Sequence, residues 1–109
     1  MATQALLALD DETWGERVAR ARGRARLSLK EAAARVSQLI PVSYSTLMRL
    51  ESLDEAPVDV KRRAVAYLAL FTYGYQPELF GLSVEDLPRW IKREMVEGLR
   101  ADLHVTQKP

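Results

Sequence analysis

Residues 42–51 read Val42-Ser-Tyr-Ser-Thr-Leu-Met-Arg-Leu-Glu51. Ser43 suits a helix N-cap, because its hydroxyl can accept a first-turn N–H that has no partner inside the helix. Leu47 and Leu50 stand three residues apart and share a face, and Val42 lies just before the cap, ready to staple onto the same side. The opposite face carries Tyr44, Ser45, Met48 and Arg49. This pattern predicts a short helix with an apolar inner side and a polar, cationic outer side, a shape that suits insertion into a DNA groove.

Working outward, every segment reads as helix. Ser28, with Glu31 three residues on, forms a capping box that opens a helix carrying the small residues Ala32, Ala33 and Val36. Pro41 disfavours helical geometry at Ile40, so this helix should end by Leu39. Thr13 and Glu16 make a second capping box, opening a first helix that runs to about Arg22, with Trp14, Val18 and Ala21 on one face. Gly23 reads as its loose end. Beyond the decamer, Asp54 to Val58 is a loop closed by Pro57. Asp59 caps a fourth helix through about Tyr73, with Val60, Ala64, Tyr67, Leu68 and Phe71 inward and Gly74 as the stop. Residues 75–82 form a connector that packs Leu79, Phe80 and Leu82. A last helix begins at Ser83 or Asp86, with Pro88 confined to its first turn. Its apolar stripe is Leu87, Trp90, Ile91, Met95, Leu99 and Leu103, widened by Val96. The sequence has no β alternation and no internal repeat.

Composition narrows the function classes. The chain has 109 residues, 48% hydrophobic and 28% charged, as expected for one globular domain. It contains no cysteine, which excludes disulfides, thiolate metal sites and cysteine nucleophiles. The single histidine, His104, has no second ligand in view, and the five glycines form no phosphate loop. An enzyme is therefore not expected, and neither is a cofactor or small-molecule ligand. No apolar run reaches the ~20 residues of a membrane span, and no basic segment leads the chain, so a cytoplasmic location is expected.

Net charge is only +1, but it is unevenly spread. From Trp14 to Arg35 there are seven basic residues (Arg17, Arg20, Arg22, Arg24, Arg26, Lys30 and Arg35) against Glu16 and Glu31. Asp10, Asp11 and Glu12 precede them. Such clustering is expected of a surface that meets phosphates.

The decamer resembles the recognition helix of the Cro/XRE family of helix-turn-helix proteins, which usually reads small-Val-Ser-x-Ser-Thr-Ile-Ser-Arg-Ile-Glu at this place. Residues 15–31, Gly15-Glu-Arg-Val-Ala-Arg-Ala-Arg-Gly-Arg-Ala-Arg-Leu-Ser-Leu-Lys-Glu31, look like the first helix, its loop and the start of the second. The likeness spans roughly residues 14–73. It implies an all-α fold, a lambda-repressor-like helix-turn-helix bundle of four helices plus an amphipathic C-terminal helix. Residues 1–12 would be an N-terminal arm, and 13–82 the DNA-binding domain with its helix-turn-helix at 28–51. Residues 83–109 would be the last helix, for packing or dimerisation. One departure stands out: Gln38-Leu-Ile-Pro41 replaces a short Gly-containing turn, so either the second helix gains a turn or the connector bulges.

Carried over position by position, the resemblance places Tyr44, Ser45 and Arg49 at base edges, with Arg49 suited to guanine O6 and N7. Tyr44 is placed to touch a thymine methyl or donate to a phosphate. Phosphate contacts would come from Ser43, Thr46, Lys30, Arg26, Arg24, Arg17 and Arg35, with Lys30 and Arg26 ahead of Arg17. Arg49 has competing partners in Glu51 and Asp54. The function expected is a sequence-specific double-stranded DNA-binding regulator, resembling small phage Cro-type or immunity repressors of a bacterial or phage-infected cell, acting as monomer or homodimer. Two alternatives stay open: an antitoxin whose C-terminal segment binds a toxin, and an adaptor that kept the fold without DNA.

Overall fold

The computed structural model describes residues 9–93. Four α-helices follow in order: α1 (Trp14–Arg24), α2 (Leu29–Val36), α3 (Tyr44–Leu50) and α4 (Val60–Thr72). Two 3₁₀ turns, Pro77–Phe80 and Val84–Asp86, lead into a fifth helix, α5, that covers residues 89–93 and reaches the edge of the described region. No strand occurs among the described residues, and the fold is all-α. Among the described residues no helix is long and apolar enough to cross a membrane.

The caps act as the sequence implies. Thr13 and Ser28 each accept the N–H three residues on and receive a glutamate back onto their own N–H, completing both capping boxes. Ser43 and Asp59 cap α3 and α4 through their side chains. Gly74 stops α4 at φ 91°, with the N–H groups of Gly74 and Tyr75 returning to the carbonyls of Phe71 and Leu70. The end of α1 differs from expectation. Gly23 lies inside the helix, which runs on to Arg24, and Arg26 takes the left-handed position at φ 60°. Arg26 N–H bonds Gly23 O and Leu27 N–H bonds Arg22 O, which is the hydrogen-bond pattern of a glycine-stopped helix with arginine at the glycine's place.

Helix α4 is the hub of the bundle. Every residue from Ala64 to Leu70 is buried, so this stretch is buried all round, and α1, α2, α3 and both 3₁₀ turns pack on α4. A one-sided inner face was expected instead, and Val60 corrects it: at the helix's first position it overhangs the bundle, 75% exposed. In the connector Phe80 and Leu82 are buried as expected, but Leu79 points out, 44% exposed. Helix α1 docks by backbone contact, with Trp14 and Gly15 N–H groups bonded to the carbonyls of Asp54 and Leu53. The Trp14 indole donates to Phe80 O at 2.8 Å.

Residues 38–41, between α2 and α3, form a connector and not a further turn of α2. Helix α2 stops at Val36, and the Ser37 hydroxyl clamps the loop by donating to Val42 O and accepting from Val42 N, at 2.8 and 3.2 Å. Leu39 and Ile40 pack on the core. Helices α2 and α3 remain packed on each other.

The last helix starts later than expected, because Leu87 is extended and Pro88 intervenes. Leu87 and Ile91 belong to the domain's own core, whereas Trp90 is 54% exposed. Met95, Val96, Leu99 and Leu103 lie outside the described residues.

Three carboxylates tie the fold to pH. Arg20 grips Glu12 through two 2.8 Å hydrogen bonds and, with the Leu9 N–H, holds its carboxyl at about 2, down from 4.5. Arg63 holds Asp86 below its usual range, and the Ser28 N–H and hydroxyl do the same for Glu31. A depressed carboxyl stabilises the native state above its unfolded pKa, and that stabilisation fades as pH falls through the folded value. Thermal melts should therefore lose stability progressively from about pH 4.5 towards 2. Glu12→Gln should flatten that acid limb; an unchanged limb would show that the Arg20 contact contributes nothing in solution.

Candidate nucleic-acid interface

Helix α3 sorts its residues as its spacing requires. Leu47 and Leu50 are each 2% exposed and face α2 and α4. At ~100° per residue, Tyr44, Met48, Ser45 and Arg49 fall on an outward arc of roughly 140°. Tyr44 and Met48 are about half exposed, and Arg49 is exposed. Ser45 and Thr46 are half-buried, and both hydroxyls lie within hydrogen-bond distance of the Ser43 hydroxyl, at 2.9 and 3.2 Å. The three hydroxyls thus form a small network around the helix cap.

Lys30, on the first turn of α2, reaches the same place. Its ammonium lies 5.9 Å from the centre of the Tyr44 ring, within cation–π range. A cation at the start of α2 and an aromatic at the start of α3 thus meet on one surface. At the other end of the arc, Arg49 lines a cleft of about 870 Å³ with Ser43, Thr46 and the first turn of α4. Lys61 and Arg62 contribute to that lining and are exposed; Asp59, which accepts the Arg62 N–H, is the acid among them. Neither cation was singled out from the sequence. The signal was their position one and two residues past the first helical residue of α4, which only the packing places beside α3.

The competition for Arg49 is resolved by distance. Glu51 is held by Arg22 through hydrogen bonds of 2.6 and 3.0 Å, and Arg49 makes no ion pair among the described residues. Arg22 also donates to Leu27 O, so it buttresses the end of α3 from α1, and the Glu51 carboxylate raises its pKa.

The arginine cluster does not act as one surface. Arg20 is bound to Glu12 and Arg22 to Glu51. The Arg17 guanidinium lies 4.0 Å over the centre of the Phe80 ring, where desolvation lowers its pKa. The structure gives Arg17 a packing role that its expected phosphate contact did not include. Arg24, Arg26, Lys30 and Arg35 are exposed and make no ion pair among the described residues. At the start of α2 the Glu31 carboxylate accepts the Ser28 N–H, so a phosphate there would depend on the Lys30 and Arg26 charges.

No cluster of acidic or histidine residues able to hold a metal occurs among the described residues. Comparison with protein-family models, with curated proteins and with solved structures finds no match to this chain.

Proposed function

We propose that this chain is a sequence-specific double-stranded DNA-binding protein, a transcription regulator of Cro/XRE type similar to small phage Cro-type or immunity repressors. The observation that carries the reading is the meeting of Lys30 with Tyr44, 5.9 Å apart, on the outward arc that ends at Arg49. A helix of seven residues carries that arc, short enough to lie across a major groove, and helix α2 braces it from behind. Lys30, Lys61 and Arg62 flank it as phosphate partners, and Arg49 supplies the fork for a guanine edge.

Arg26 adds a separate argument. An arginine in the left-handed region costs about 1–2 kcal/mol relative to ordinary helical geometry, and glycine would relieve it. An exposed cation held in that conformation is understandable when its charge is used. Arg26→Gly should therefore keep thermal stability, or raise it by up to about 1 kcal/mol, while weakening DNA binding on every sequence. The slope of log affinity against log salt should fall by ~0.9 for the lost phosphate contact. An unchanged slope would remove Arg26 from the interface.

Selection from a random-sequence duplex pool tests the whole reading. An enriched motif supports it. An inverted repeat would add a homodimer, for which the half-exposed Trp90 on the last helix is a ready contact. A pool that emerges unenriched would sink it.

A further inference from the structure

Two large apolar side chains stand on the outer arc of α3, where a purely polar reading surface has no use for them. Tyr44 and Met48 are 47% and 49% exposed. They are four residues apart, so they lie one above the other on one helix face, ~6 Å apart along the axis. The Lys30 ammonium sits over the Tyr44 ring at 5.9 Å, and Arg49 follows Met48 directly. The strip is therefore apolar in its middle and cationic at both ends.

We infer that Met48 reads the 5-methyl group of a thymine beside the one that Tyr44 is placed to touch, which makes Met48 a specificity-determining residue and the target site T-containing next to the guanine taken by Arg49. The inference rests on α3 entering the major groove as proposed above. In that groove the thymine methyl is the apolar group on the base edges, and the walls are phosphates. An apolar strip with cationic ends matches that pattern of charge. With base pairs ~3.4 Å apart, side chains ~6 Å apart along the helix meet bases one or two steps apart. The thioether of Met48 is unbranched and adapts to the methyl's position without a fixed rotamer.

The test replaces each thymine of the selected site by deoxyuridine, which deletes the methyl and leaves base pairing intact. Affinity should fall about fourfold for each methyl that is buried, at one or two positions and at no others. Met48→Ala should abolish the loss at one of those positions and leave the other, with thermal stability unchanged because the side chain is half exposed. If a motif is enriched but uracil is tolerated everywhere, the inference falls and the DNA reading stands. If uracil costs affinity but Met48→Ala leaves every loss in place, Met48 is not the reader and the inference also falls. If no motif is enriched, both fall together, and the strip becomes a candidate for an acidic protein surface.

Discussion

Replacing Gly15 by alanine should lower the unfolding free energy by roughly 3 kcal/mol, at the upper end for overpacking. A Cβ at this position would run into the carbonyl of Glu51 and come within 2.8 Å of the Leu53 nitrogen. Both neighbours are backbone, so no side chain can swing aside. The Gly15 N–H also donates to Leu53 O at 2.8 Å, which means that any retreat of α1 breaks the bond that docks it. For a domain of this size the melting temperature should drop by more than about 10 °C. Gly23→Ala, in the same helix, is the internal control: a Cβ there meets nothing within 4 Å, and alanine should add about 0.5–1 kcal/mol of helix stability. Equal melts for the two variants would show that α1 does not approach the α3–α4 turn as closely as described.

The consequence of that close approach reaches α3. Gly15 lets the first turn of α1 lie against the residues that follow α3, and Arg22, two turns further on, grips Glu51. Trp14 closes the other side by bonding Phe80 O, while Arg17 lies over the Phe80 ring. Helix α1 therefore works as a brace that fixes where α3 ends, and its arginines divide accordingly between bracing and free charge. A cluster that looks uniform along the chain becomes two populations once folded.

What the sequence revealed was mainly local. Thr13, Ser28, Ser43 and Asp59 announce helix starts because their capping partners lie within three residues. Leu47 and Leu50 announce the inner face of α3 by spacing alone. Partners distant in sequence stayed hidden: Glu51 is 29 residues from Arg22, and Phe80 is 66 from Trp14. The same distance hid Lys61 and Arg62, whose place beside Arg49 depends on how α4 crosses α3. Gly23 misled because its usual role as a helix stop is taken three residues later by Arg26, a position that glycine would fill more easily. Met48 lay in plain view on the outer face, but its exposure is informative only beside Tyr44 and the Lys30 ammonium.

Arg49→Ala should separate base reading from phosphate contact. The side chain is exposed and makes no ion pair among the described residues, so stability should stay within about 0.5 kcal/mol of the parent. Affinity for the selected site should fall roughly 5- to 150-fold, the range set by ~1–3 kcal/mol for a bidentate arginine on guanine. The preference for G·C should vanish at one position of the site and persist at the others. Arg49→Lys should recover charge but not the fork, leaving the salt slope near the parent's and the base preference weak. Lys61→Ala is the contrast, because the phosphate contact proposed for it would carry no sequence information. It should weaken all duplexes alike and reduce the salt slope by ~0.9. The deciding quantity is the ratio of affinities for the selected site and a random duplex, measured for both variants at several salt concentrations. A ratio that collapses for Arg49→Ala and holds for Lys61→Ala places the guanidinium on a base. If both variants lose the two affinities in equal proportion, Arg49 touches only the backbone, and base discrimination must then come from the Tyr44–Met48 strip.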